Sequence, residues 1–127
     1  MERYNIVVIG GGSAGLLVAA GAAGLGAKVA LVEEGKMGGD CLNTGCVPSK
    51  ALIRSAATAA LKANAAHGLP AAAIRADWPS VAARVQGVID HIAPHDSVER
   101  FTEIGVDVVQ GRGKLVSGSR VVATLHG

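Results

Sequence analysis

The sequence predicts an α/β fold organised around a parallel sheet, and three observations predict it. A short β-branched run at residues 4–9 ends in Gly10-Gly11-Gly12, an Ala- and Leu-rich stretch follows at residues 13–25, and a second apolar run at residues 28–32 comes directly after Gly26. Strand, helix and strand in about thirty residues is the smallest unit that sets two parallel strands side by side. The first run is nearly continuous in apolar residues rather than alternating, the pattern of a strand covered on both faces. A chain of 127 residues that is 50% hydrophobic is long enough to close one core around them.

The remaining elements follow in order. Residues 35–45 read as a turn-rich connection, and residues 48–66 as an Ala-rich helix that stops before His67-Gly68-Leu69-Pro70, a surface loop. Asp77-Trp78-Pro79 opens a helix to about residue 92, in which Val81, Val85, Val88, Ile89 and Ile92 recur at helical spacing. Trp78 is expected in the core or anchoring the helix start. Pro94 interrupts, residues 97–104 form a last short helix, and residues 106–109 read as the next parallel strand. Residues 114–125 read as two short antiparallel strands turning at Ser117-Gly118-Ser119, and no internal repeat is present.

Charge and composition remove whole classes of function. A formal net charge of +2 is spread along the chain without blocks, and Tyr4, Trp78 and Phe101 are the aromatic residues, so there is no platform for nucleic acid. Residues 13–32 are apolar but contain four glycines and Lys28, which suits a buried α/β core rather than a membrane span. With a strand starting at Asn5 and only Arg3 as a basic residue before it, the N-terminus reads as neither secretory signal nor transit peptide, and the expected location is the cytoplasm. Stable structural disulfides are rare there.

Gly10-Gly11-Gly12-Ser13-Ala14-Gly15 fits G-x-G-x-x-G between strand and helix. Its glycines permit a tight turn and close approach of backbone amides to a pyrophosphate, which the unpaired N–H groups of the helix N-terminus attract. Glu33, at the end of the second strand, stands where an acceptor meets the adenosine ribose hydroxyls, with Glu34 as the fallback. A carboxylate there repels a ribose 2′-phosphate, so the site suits FAD or NAD rather than NADP. A glycine-rich turn without a ligand is the bland alternative, weakened by the agreement of strand, helix and Glu33.

Cys41 and Cys46 lie in Gly38-Gly39-Asp40-Cys41-Leu42-Asn43-Thr44-Gly45-Cys46-Val47-Pro48-Ser49-Lys50. On a regular helix residues five apart are separated by about 7.5 Å along the axis and roughly 140° around it, too far to close a disulfide. Gly45 is expected to supply unusual dihedrals, and Pro48 to turn Val47 away from helix, so that regular helix starts near Pro48. Cys46 then sits at a helix N-terminus, which favours its thiolate. A structural disulfide in so small a ring removes little chain entropy. Zinc would need a second ligand pair, which His67, His91, His95 and His126 do not form, and no metal site is expected.

The stretch from Gly38 to Lys50 resembles the redox-active motif of the class I pyridine nucleotide-disulfide oxidoreductases, among them dihydrolipoamide dehydrogenase, glutathione reductase and mercuric reductase. With Gly10 to Gly15 and Glu33, the resemblance covers the first fifty residues firmly and the rest in outline. It implies a Rossmann-like FAD-binding fold, incomplete at its C-terminal side, with FAD contacts at Gly10, Gly12, Ser13, Ala14, Gly15, Glu33, Gly39 and Lys50. It implies that Cys41 is the interchange thiol meeting substrate, that Cys46 faces the flavin, and that Lys50 sits beside flavin N5. Electrons would pass from NAD(P)H to FAD, then to the Cys41–Cys46 disulfide, then to a small-molecule disulfide or metal-ion substrate.

Asp40 departs from the threonine usual in the family and Thr44 from the usual valine, while Ser49-Lys50 leans toward the lipoamide and mercuric reductase branches. The nicotinamide-binding domain and the interface domain of the family's homodimer are absent from residues 1–127, which read as the N-terminal portion of an FAD-binding domain, inactive alone. His91 and His95 are expected to be solvated or capping, Asp96, Glu99 and Arg100 to line an exposed helix face, and Lys50 has solvation as its plain alternative. Two other readings stay open: a stand-alone nucleotide-binding or thiol-switch module, and a flavin monooxygenase-like domain with incidental cysteines.

Overall fold

A computed structural model describes residues 2–61 and 74–125. The expected helix end at residue 66, the loop at His67-Gly68-Leu69-Pro70 and His126 lie outside the described residues. The order is β1 (Ile6–Ile9), α1 (Ser13–Gly24), β2 (Val29–Glu33), α2 (Gly39–Asn43), α3 (Cys46–Leu61), α4 (Trp78–Ile92), a 3₁₀ turn (Ala93–Asp96), α5 (Val98–Glu103), β3 (Val106–Ser117) and β4 (Arg120–Leu125). The sheet runs β1-β2-β3-β4, with β1, β2 and the first half of β3 parallel and β4 antiparallel to the second half of β3. This is the Rossmann-like α/β arrangement that the opening βαβ pattern predicts.

The core lies between one face of the sheet and helices α1 and α5. Leu16 and Ala19 of α1, Val29 and Leu31 of β2, Val106 of β3 and Phe101 of α5 form one buried cluster, with Val8 and Val108 packed against it. Burying each large apolar side chain there contributes roughly 1.5–3 kcal/mol. Ser97 caps α5, its hydroxyl accepting from the Arg100 N–H at 3.2 Å, and so aims Phe101 inward.

β1, whose apolar run predicts burial on both faces, does not have it, with Ile6, Val7 and Ile9 37%, 38% and 48% exposed, whereas β2 is buried over Val29 to Val32. β1 is an edge strand, and its second face lies toward the curl of β3, where a Cβ on Gly113 would stand 3.1 Å from Ile9 Cγ2 and 3.2 Å from Val32 Cγ1. The two short strands expected after residue 106 are partly one: β3 runs unbroken from the parallel pairing with β2 into the antiparallel pairing with β4. Trp78 is 67% exposed at the first turn of α4, so it is not a core residue.

Two further corrections concern the cysteine segment. The connection expected to be all turn contains the short helix α2, and α3 begins at Cys46 with Val47 and Pro48 inside it. Pro48 occupies the first turn, where no N–H has a helical partner, and Ser49 makes the first such bond, to the Gly45 carbonyl at 3.0 Å. Gly45 has no positive φ. It is needed for close approach instead, since a Cβ would lie 2.9 Å from the Asp40 carbonyl oxygen that its own N–H contacts at 2.6 Å.

Candidate functional site

The glycine loop leaves β1 through Gly10, at φ +103°, and enters α1 at Ser13 with Gly12 as an N-cap that has no side-chain partner. Gly15 packs the first turn of α1 onto the loop so tightly that a Cβ there would fall 1.9 Å from the Gly10 carbonyl oxygen. Gly12 differs: its backbone is extended at φ −82°, and a Cβ would meet only Gly39 Cα, at 3.9 Å. Internal packing therefore leaves open space over Gly12, beside the unpaired amides of the α1 N-terminus, where a pyrophosphate can approach.

Glu33 reaches back from the end of β2 to this loop. One carboxylate oxygen accepts from the Gly11 N–H and the other from the Gly35 N–H at 2.5 Å. These bonds fix a half-buried carboxylate where the ribose acceptor is expected. Glu34 is exposed and lies 3.9 Å from the Arg112 guanidinium, which favours Glu33 over the fallback.

The cysteine segment is stitched directly to the glycine loop. The Gly38 N–H donates to the Gly11 carbonyl at 2.9 Å, and a Cβ on Gly39, at φ +57°, would stand 2.7 Å from Gly12 Cα. Asn43 holds α2 in place through its side-chain amide, which donates to the Gly39 carbonyl at 2.8 Å and the Met37 carbonyl at 3.1 Å. Sequence reasoning assigned Gly39 to the cofactor; its contact with Gly12 is a second role that a long-range backbone approach hides from sequence.

Cys41, half-buried on α2, and Cys46, exposed at the start of α3, are both free thiols, and each acts on the other's ionisation. The bond from Cys46, then one from the Ser13 side chain, holds the Cys41 thiol below its ordinary value. The same bond, together with the charge that Cys41 then carries, pushes Cys46 above it. The two thiols thus differ in how readily they ionise, and Cys46 stands at the start of α3 as expected. The Lys50 charge, one turn along α3, favours ionisation of both. The Ser13 contact escaped the sequence, where Ser13 reads only as part of the phosphate loop.

Among the described residues, no histidine is one of the groups acting on either thiol. Among the described residues, no three His, Cys, Asp or Glu side chains gather to hold a metal ion, and no helix is long and apolar enough to cross a membrane. A cleft of about 550 Å³, lined in part by Val7, Ala30, Val32, Val109 and Val121, lies on the sheet face away from the core and includes neither cysteine nor the glycine loop. Its lining offers no redox chemistry.

Residues 4–124 match the family model described as pyridine nucleotide-disulphide oxidoreductase. The chain is 39% identical over 119 residues to the dihydrolipoyl dehydrogenase of Bacillus subtilis (strain 168), covering 92% of this chain and 25% of that protein. It is 33% identical over 121 residues to the mercuric reductase of Lysinibacillus sphaericus, covering 94% of this chain and 22% of that protein. The solved structure of the Cu(II) complex of the HOCl-induced flavoprotein disulfide reductase RclA from Escherichia coli superposes with a TM-score of 0.74 at 24% identity, over 94% of this chain and 24% of that one. The chain thus spans about a quarter of the length of these relatives.

Proposed function

Since the chain belongs to the pyridine nucleotide-disulphide oxidoreductase family, we propose that it is the FAD-binding, cysteine-bearing N-terminal part of a flavin-dependent disulfide oxidoreductase. The observation that carries this reading is the pair of free thiols, five residues apart, on a segment that Gly38 and Gly39 fasten to a dinucleotide loop. The open space over Gly12, the uncapped N-terminus of α1 and the fixed carboxylate of Glu33 fit the adenosine and pyrophosphate half of FAD. Gly10, Gly12, Ser13, Ala14, Gly15, Glu33 and Gly39 would line that half, and Lys50 would stand near the flavin ring.

The two thiols divide the work. Ionised Cys41 attacks one sulfur of a small-molecule disulfide and releases the other half as a thiolate, leaving a mixed disulfide. Cys46 gives up its proton and attacks the Cys41 sulfur, so that the pair ends oxidised and the substrate ends as two thiols. FAD, when bound, supplies the two electrons that return the pair to dithiols, drawn in the whole protein from NAD(P)H. The names of the relatives make lipoyl groups and mercuric ion the two substrate classes to try first. A cytoplasmic homodimer is the form we propose for the whole protein, since a reducing compartment favours a catalytic over a structural role for a close cysteine pair, and the family resemblance of Gly38 to Lys50 implies a homodimer.

The two free thiols taken alone support a second reading, a thiol-switch module that exchanges disulfides with other thiols and handles no flavin. Titrating FAD into the 127-residue chain, followed by flavin absorbance and fluorescence, separates the two. The oxidoreductase reading expects saturable binding, lost in Gly12→Val, and no turnover with NADH or NADPH by the chain alone. No binding at any concentration, with reversible disulfide exchange intact, would leave the switch.

A further inference from the structure

Helices α3 and α4 carry a second cluster that the redox reading does not use. Arg54, Ser55 and Thr58 of α3 and Arg84 of α4 line a cleft of about 310 Å³. Arg84 spans the helix pair: its Nη1 donates to the Ala51 carbonyl at 2.9 Å and to the Ser55 hydroxyl oxygen at 3.4 Å. This fixes one edge of the guanidinium and leaves the rest of the fork open toward the cleft.

Neither arginine has an acidic partner among the described residues. From Cys41 to Ala76 the sequence contains no Asp or Glu at all, so neither α3 nor the segment that follows it supplies one. On the α4 side, Asp90 accepts from Gln86 Nε2 at 2.8 Å, and Asp77 accepts from Ser80. The ion pairs present lie elsewhere, at Lys28–Glu2, Arg100–Glu103 and Arg112–Glu34. Two guanidinium groups thus share a concave surface with no counter-charge, an arrangement relieved by an anion from outside.

The hydroxyls can assist. Ser55 donates to the Ala51 carbonyl at 3.4 Å and Thr58 to the Arg54 carbonyl at 2.9 Å, positions taken by helix hydroxyls that have no better acceptor. Rotating either toward an anion gives up one hydrogen bond to a helix carbonyl and leaves the helical ladder intact.

We propose that Arg54, Ser55, Thr58 and Arg84 form an oxyanion site that holds the phosphate or terminal carboxylate of a small molecule in the fork between α3 and α4. The site lies on the helix that carries Cys46 and Lys50, with Arg54 one turn beyond Lys50. It needs no flavin, so it stands or falls separately from the redox reading.

Calorimetric titration of the chain with inorganic phosphate, and separately with glutarate, at constant ionic strength held by chloride tests it without any flavin present. Saturable binding of either anion is expected, and the tighter of the two identifies the group. The Arg54 guanidinium makes no hydrogen bond or ion pair among the described residues, so Arg54→Gln leaves the fold intact and is expected to weaken binding about tenfold, the loss of one charge-assisted contact. Arg84→Gln is expected to weaken it at least as much, with circular dichroism checking that α3 and α4 remain. No saturable binding of either anion, or binding of undiminished strength in Arg54→Gln, as phosphate held at the glycine loop would give, overturns the proposal.

Discussion

The stretch from Gly10 to Cys46 and the α3–α4 pair position their functional groups by opposite means. In the first, backbone lies against backbone at separations that admit no side chain: Gly15 on the Gly10 carbonyl, Gly39 on Gly12, Gly45 on the Asp40 carbonyl. In the second, a long side chain bridges two helices, and no residue of α4 is buried. The difference teaches where each region tolerates change. Backbone contacts fix the spacing of loop, carboxylate and thiols rigidly and fail when a methyl group is added, whereas a side-chain tether is replaceable and yields gradually.

The largest effect that this contrast predicts is at Gly15. A Cβ placed 1.9 Å from a carbonyl oxygen forces the loop and α1 apart, so Gly15→Val is expected to lower unfolding stability by about 3 kcal/mol or more and to abolish flavin binding, as read by chemical denaturation and FAD titration. Gly39→Ala comes next, at about 2 kcal/mol in the same denaturation assay, because it combines a positive φ with a 2.7 Å approach to Gly12 Cα. It should also loosen the cysteine segment from the glycine loop, seen as faster hydrogen exchange at Gly38, whose N–H donates to Gly11. Smallest is Arg84→Ala, expected to cost about 1 kcal/mol, since it removes one part-buried and one exposed hydrogen bond and leaves the helix backbones in place. If Arg84→Ala proved as damaging as Gly15→Val, the contrast between the two regions would collapse.

How much of this was legible in the sequence follows the same division. The βαβ unit, Glu33 and the cysteine pair are local or fall at characteristic intervals, and each is found where its pattern places it. What the sequence withheld depends on contacts between distant segments. Nothing local in Ser13 says that its side chain meets Cys41, and nothing in Gly38 or Gly39 says that they close onto Gly11 and Gly12. The apolar run of β1 reads as doubly buried because period and composition carry no record of strand order; at the sheet edge the same residues remain half exposed. Val47-Pro48 reads as a helix break because a proline's effect depends on which turn it occupies. Arg84 looks like any solvated helix arginine until α3 is set beside it.

The assignment of unequal roles to Cys41 and Cys46 is the centre of this account, and differential alkylation tests it most directly. The chain is reacted with iodoacetamide across a pH series, and each cysteine is followed by mass spectrometry. Because the Cys46 thiol and Ser13 lower Cys41 while Cys46 is raised, Cys41 should be alkylated first and from a lower pH, and glutathione disulfide should convert the pair to one intramolecular disulfide. Cys46→Ala removes the largest stabiliser of ionised Cys41, so the Cys41 pKa should rise and its alkylation at neutral pH slow by about fivefold. Equal rates at both cysteines, no change at Cys41 in Cys46→Ala, and only mixed disulfides with glutathione would contradict a cooperating redox pair.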